Sequence, residues 1–135
     1  MPLILPFDGA TPDIHESAFI APNATIIGRV RIGAHAMTAM CSLLFADVPP
    51  FVMAQGQPAG ARSMNFEGLR RRGFDAEAIA RVKHMHKLLY RSDLPLRASV
   101  EKIAALTTEG QPSPAEVQIM LDFLANTNPQ RGIVR

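Results

Sequence analysis

The chain reads as a short parallel β-helix followed by an α-helical domain, and three observations carry that reading. An aliphatic position recurs at every sixth residue from Ile14 to Leu44, a Pro-Pro pair interrupts that run at residues 49 and 50, and helical periodicity with capping signals takes over beyond residue 74.

The repeat comes first. Ile14, Ile20, Ile26, Ile32, Thr38 and Leu44 keep one phase of six, and Ala18, Ala24, Val30, Ala36, Ser42 and Val48 follow each of them by four positions. Neither the 3.6-residue period of a helix nor the two-residue period of a simple strand gives this pattern. Hexapeptide repeats build parallel β-helices, in which each hexapeptide lays down one flat face and its aliphatic residue points into a narrow core. With three faces to a coil, residues 14–49 supply about two coils, stacked about 4.8 Å apart. Stacked repeats need end caps. Leu3, Ile4 and Phe7 of "LILPF" are expected to lie across one end, and "DVPPF" at 47–51 is expected to stop the repeat, because two prolines remove ladder donors and restrict the backbone before them. This stub takes residues 1–58.

Residues 59–135 form the expected helical domain, entered through the Gly/Pro-bearing connection "AQGQPAGARS". Asp75 caps a helix running to about Ser92, with Ile79, Val82, His86 and Leu89 on one face. A second helix covers Leu96 to Leu106. The third opens on Ser113-Pro114-Ala115-Glu116, a capping box with proline at the first helical position, and ends near Asn126.

Composition narrows the class of function. The 135 residues are 47% apolar and 19% charged. No apolar run approaches the roughly 20 residues of a membrane span, and "MPLILPFDG" lacks the basic start of a secretory signal, so the expected location is cytoplasmic. The single Cys41 permits no internal disulfide or thiolate cluster and reads as a small buried hydrophobe. Net charge is +2, yet residues 62–97 carry nine Lys/Arg against four acids. That excess favours an anionic partner. Nucleic acid fits poorly, since one tyrosine gives little to stack on and Glu67, Asp75 and Glu77 interrupt the basic stretch.

Within that stretch stands "MNFEGLRRRGF", residues 64–74. Asn65 suits either a helix N-cap or a ligand contact. Glu67 is spaced to pair with Arg70 or Arg71 along a helix. Arginine forks present parallel donors to phosphate oxygens, so the run reads either as a solvated face or as an anion site. His84 and His86 suggest a metal pair, but residues two apart on a helix point about 200° away from each other. No metal or cofactor is expected. His15 and His35 read as surface or subunit-contact residues on the coils, and Tyr90 as a helix-end anchor.

Two resemblances complete the reading. "MPLILPFDGATPDIHESAFIAPNATIIGRVRIGA" resembles the opening of γ-class carbonic anhydrase-like hexapeptide proteins. From about residue 34 onward, "DVPPF", "NFEGLRRRGF", "LYRS" and the terminal "RGIVR" are similar to the C-terminal part of UDP-N-acetylglucosamine O-acyltransferases of lipid A biosynthesis. The join resembles a chimera or a shortened form. The second resemblance implies a homotrimer of left-handed β-helices with helical C-terminal domains. It implies transfer of an (R)-3-hydroxyacyl chain from acyl carrier protein to the sugar 3-hydroxyl of UDP-N-acetylglucosamine. Carried over residue by residue, it places Asn65, Glu67, Arg71 and Arg72 near the nucleotide sugar or the carrier's phosphopantetheine, and Met40 where acyl length is measured. No histidine here matches the family's general base, so no catalytic residue is assigned and turnover stays open beside a non-enzymatic trimeric scaffold. Gln57 and Pro58 stand where the family has Asn and His. The three histidines of the carbonic anhydrase zinc site are likewise not matched.

Overall fold

The six-residue period closes into laps of eighteen. In the computed structural model, which describes residues 1–107, 110, 113–127 and 132–135, the chain lays its strands on three sheets in rotation. The strands are β1 (Leu3–Leu5), β2 (Asp13–Ile14), β3 (Phe19–Ile20), β4 (Thr25–Ile27), β5 (Arg31–Ile32), β6 (Met37–Thr38), β7 (Leu43–Leu44) and β8 (Val52–Gly56). Their orders are β1-β4-β7, β2-β5 and β3-β6-β8, all parallel. Ile14 faces Ile32, Ile20 faces Thr38 and Ile26 faces Leu44, each pair 18 residues apart. The interior holds Ile26, Ile32, Leu44 and Val48, each 2% exposed or less.

Three of the expectations change here. The solenoid makes three laps, not two, because "LILPF" opens a lap: β1 pairs with β4, Ile4 opposite Ile26. "DVPPF" shortens the repeat without stopping it. Val48 bridges to Ile32, and β8 pairs with β6 with Ala54 opposite Thr38, each two residues short of a full lap. The prolines fit because they sit in the corner between faces, where no ladder donor is needed. Ile20, Ile26 and Ile32 belong to three different ladders and share the side of the backbone that turns inward. The corners are turned by Asn23, His35, Cys41 and Phe51, all at positive φ between 58° and 70°. Placing Cys41 on a corner leaves it exposed, against the expectation of burial.

A hairpin stands where a connection was expected. β8 returns antiparallel as β9 (Ala59–Met64), with Gln57 and Pro58 in its turn. The chain divides into Met1–Asn65 with Thr127–Arg135, and Phe66–Asn126. The expected boundary at 58 therefore falls inside the hairpin, whose strand pairing holds β9 to the solenoid. The C-terminal residues rejoin the same unit: Asp47 N–H donates to Gly132 O (3.4 Å), Val134 N–H to Asp47 O (2.8 Å) and Ala61 N–H to Arg135 O (3.2 Å). Ile133 and Val134 are each 4% exposed. Arg131, the first residue of "RGIVR", lies outside the described residues.

The second unit contains, among the described residues, α1 (Phe66–Arg71), α2 (Ala76–Tyr90), α3 (Leu96–Ala104) and α4 (Ala115–Ala125). Asp75 caps α2 as its position implies, accepting from Ala78 N–H at 2.8 Å. The buried stripe of α2 is Ala78, Val82, Met85 and Leu89. The expected stripe through Ile79 and His86 is rotated by one position, since a 4-3-4 spacing keeps the adaptable Met85 inward and the imidazole at the edge. The capping box of α4 does not form. Ser113 Oγ is 3.0 Å from Thr107 Oγ1, and Glu116 turns to the guanidinium of Arg81 on α2. A buried carboxylate gains more from a guanidinium than from one backbone N–H. The Ser99 hydroxyl, donating to Leu88 O at 2.6 Å, ties α3 to α2.

Candidate functional site

Asn65 closes β9, and two bonds fix it there. Its backbone N–H donates to Phe51 O (2.6 Å), and its side-chain amide donates to His35 O (3.2 Å). His35 is itself held from both sides: its backbone N–H donates to Ser17 Oγ at 2.9 Å, and its ring lies parallel to that of Phe51, with 5.9 Å between centroids and 6° between planes. Ser17 Oγ is 2.8 Å from His15 Nδ1, which also accepts the Ser17 backbone N–H at 3.1 Å. His15, Ser17, His35 and Asn65 thus form one chain of contacts across successive laps. Ser17 and His35 stand one 18-residue lap apart, a signal that was present in the sequence. The amide nitrogen of Asn65 is thus given to the solenoid backbone.

Glu67 and Arg71 come together as their spacing implies. Arg71 Nε donates to Glu67 Oε1 at 3.2 Å, and Arg70 lies 3.9 Å from the other oxygen. All three side chains are more than 60% exposed, so the pairs add at most a few tenths of a kcal/mol. Their importance is positional: Glu67 engages Arg70 and Arg71, and Arg72 follows on the exposed turn that ends α1. That turn is rigid. Gly73 N–H donates to Arg70 O and Phe74 N–H to Leu69 O, both at 3.1 Å, with Gly73 at φ 84°. This is a Schellman ending, in which glycine takes the left-handed position without a Cβ penalty.

Met40 is 66% exposed, on the corner that Cys41 completes. Gln57 Nε2 donates to Cys41 O at 2.6 Å, which fixes the hairpin turn against that corner. Elsewhere, His84 is exposed, while His86 packs its ring against Tyr90 with centroids 5.3 Å apart. Burial, and then the charge of Arg91, lowers the His86 pKa below the ordinary histidine value. Among the described residues no three His, Cys, Asp or Glu side chains cluster as metal ligands.

Residues 47–134 match the family model described as "Udp N-acetylglucosamine O-acyltransferase; Domain 2". The chain belongs to that family. The matched span includes the Asn65–Gly73 segment and both bonds that hold the C-terminal residues to Asp47. Among curated members of the UDP-N-acetylglucosamine O-acyltransferases, the acyl-[acyl-carrier-protein]–UDP-N-acetylglucosamine O-acyltransferase of Albidiferax ferrireducens is 62% identical over 106 residues, 78% of this chain and 40% of that protein. The protein of the same name from Verminephrobacter eiseniae is 47% identical over 140 residues, 90% of this chain and 53% of its own length. The chain therefore spans about half the length of these relatives. Among solved structures, the UDP-N-acetylglucosamine acyltransferase of Bacteroides fragilis superposes with a TM-score of 0.81 at 29% identity, over 92% of this chain and 46% of that one. LpxA from Acinetobacter baumannii gives 0.73 at 30%, over 92% and 53%.

Proposed function

We propose that the protein is a shortened UDP-N-acetylglucosamine O-acyltransferase, working as a homotrimer of left-handed β-helices. It would take an (R)-3-hydroxyacyl chain from acyl carrier protein and pass it to the sugar 3-hydroxyl of UDP-N-acetylglucosamine, the first step of lipid A biosynthesis. The observation that carries this reading is the family match over residues 47–134, which includes the Asn65–Arg72 segment. Asn65, held at fixed height by its bond to His35 O, serves as a polar contact to the nucleotide sugar or the carrier's prosthetic arm. Arg71 and Arg72 supply guanidinium donors for phosphate, with Glu67 orienting Arg71. Exposed Met40 limits acyl length. The soluble cytoplasm is the expected compartment; among the described residues no helix is long and apolar enough to cross a membrane.

A shortened form explains the in-phase join near residue 34 more simply than a carbonic anhydrase-like graft. The relative from V. eiseniae covers 90% of the chain, so the likeness extends into the N-terminal laps. With ladder partners 18 residues apart, losing whole laps leaves every later strand on its own face. The domains are then a β-helix followed by a helical domain, joined through the β8–β9 hairpin.

A specific observation favours the second reading, a trimeric scaffold that binds without turnover. Transfer requires a base within hydrogen-bond reach of the attacking hydroxyl, commonly worth 10²- to 10⁴-fold. No histidine here matches the family's general base, and His35, stacked on Phe51 with Nδ1 buried, has only Nε2 left to offer. An assay with (R)-3-hydroxyacyl carrier protein and UDP-N-acetylglucosamine separates the two. Turnover that falls about tenfold or more in Arg72→Gln supports the enzyme. Binding of UDP-N-acetylglucosamine with no product supports the scaffold, and neither binding nor turnover refutes both.

A further inference from the structure

The two ends of the solenoid are finished differently. At the far end β9 pairs with β8, and Ile133 bridges to Asp47. At the near end β1, β2 and β3 are each the outermost strand of their sheet, and among the described residues nothing lies on them. Ile26 and Ile32 of the second lap are 2% exposed or less, whereas Ile4, in register with Ile26, is 43% exposed and its neighbours Leu3 and Leu5 are 56% and 40% exposed. The core is open at this end.

Backbone groups are left over there as well. Leu3 N–H donates to Ala24 O, Asp13 N–H to Val30 O, His15 N–H to Ile32 O, Phe19 N–H to Ala36 O and Ala21 N–H to Thr38 O, all between 2.8 and 3.1 Å. Successive residues of a strand bond to opposite sides, so the N–H and C=O of Ile4, Ile14 and Ile20 point away from the second lap, off the end of the solenoid. An open edge of this kind is a template for another strand. A long extended segment gains little here, because Pro2, Pro6 and Pro12 flank β1 and β2 and lack the donor that a longer ladder needs. What the end offers is one donor and acceptor residue on each of three sides.

Another copy of the same end satisfies all three at once. The strands climb as a ramp, so β2 and β3 lie about one third and two thirds of the roughly 4.8 Å lap rise behind β1. Two ramps of one hand, set end to end by a two-fold axis through the β2 side, stay equally far apart all round. The strand that stands forward, β1, meets the one set back, β3, and β2 meets β2. The two-fold makes each pair antiparallel. Opposed residues face the same side of a sheet, which sets Ile14 opposite Ile14 and Ile4 opposite Ile20; these are the residues whose N–H and C=O point off the end, and an opposed pair exchanges two bonds. Their side chains close the core. The outward neighbours then match in chemistry, Asp13 opposite His15 and Leu5 opposite Phe19.

We infer that the β1–β2–β3 end of the solenoid docks on the same end of a second copy of this chain, in the register Ile14 to Ile14 and Ile4 to Ile20. This goes beyond the trimeric reading above, which concerns association side by side, and it doubles whatever assembly the sides produce. The test uses the full chain with Cys41→Ser. Asp13→Cys and His15→Cys proteins are mixed and oxidised, and the mass is read under denaturing conditions. A covalent heterodimer is expected, because such opposed residues lie about 4.5 Å apart between Cα atoms, within disulfide reach. Each variant alone should stay uncrosslinked, as should His15→Cys mixed with Arg31→Cys, which lies one lap deeper on the same side. Charge exchange supplies an independent arm. Asp13→Lys and His15→Asp should each halve the native mass read by light scattering at micromolar concentration, and the double variant should restore it. A parent trimer whose mass Asp13→Lys leaves unchanged, with no crosslink between residues 13 and 15, overturns the end-to-end pairing and leaves the trimer standing. Equal crosslinking of His15→Cys with Arg31→Cys also overturns it, since the contact then runs along the side. A parent dimer that both single variants reduce to 14.7 kDa upholds the pairing and removes the trimer.

Discussion

Replacing Gly33 by alanine tests whether "DVPPF" is packed onto the second lap. A Cβ at residue 33 would lie 2.5 Å from Pro50 N, 2.7 Å from its Cδ and 2.8 Å from its Cα. All three are backbone or ring atoms, so no rotamer change relieves the contact, and the third-lap corner must move bodily. That corner is anchored: Gly33 N–H donates to Val48 O at 2.9 Å, Phe51 N–H donates to Ala34 O at 2.9 Å, and Phe51 is completely buried. Overpacking of this kind costs about 1–3 kcal/mol, so Gly33→Ala should lower the folding constant by roughly 5- to 150-fold. For a domain of this size the midpoint of thermal unfolding should drop by about 4–8 °C per kcal/mol. Thermal and urea unfolding followed by circular dichroism measure the change, with an unchanged urea slope confirming that the same surface is exposed. A variant within about 0.3 kcal/mol of the parent would mean that the prolines do not rest on residue 33, and the third lap as described would be wrong.

Other outcomes follow from other parts of the molecule. Gly73→Ala meets no atom within 4 Å but forces a side chain into the left-handed region, and it should destabilise the helical unit by about 1 kcal/mol in urea titration. Glu116→Gln removes the charge partner of Arg81 from a side chain only 7% exposed; with Arg81 one-third exposed, the loss should be about 1–2 kcal/mol and depend only weakly on added salt. Ile133→Ala, at a site 4% exposed, should cost about 2–4 kcal/mol, and limited proteolysis should then cut the C-terminal residues earlier than in the parent. His86 has a lowered pKa when folded, so the unfolded chain takes up its proton first as pH falls. Stability contributed by neutral His86 should be complete above pH 6.5 and decline below it, and His86→Phe should flatten that slope in unfolding measured from pH 7.5 to 5.

The solenoid was legible because its interior is read one residue in six: Ile14, Ile26, Ile32 and Leu44 all turn inward as that phase requires. What the phase concealed was how the laps begin and end. Leu3–Leu5 stands outside the six-residue count because the first lap is four residues longer than the second, and the third lap is two shorter. The hairpin was hidden because Gly56, Pro58 and Gly60 are equally typical of loops, and strand pairing across them depends on the distant β6. Ser113 and Glu116 carry the local signature of a capping box, yet Arg81, 35 residues away, claims the carboxylate. Of the candidate site, the Glu67–Arg71 pair could be read from helical spacing alone. The anchoring of Asn65 could not, since its partner His35 lies 30 residues earlier and is reached only once the solenoid has turned.

The bonding of Asp47 to residues 132 and 134 sets an order on synthesis. The third lap leaves the ribosome early, but the backbone groups that pair with Asp47 emerge more than 80 residues later, a wait on the order of ten seconds at common elongation rates. Throughout that interval a nascent solenoid carries one uncovered edge at Asp47, and a chaperone that shields strand edges would find its client there.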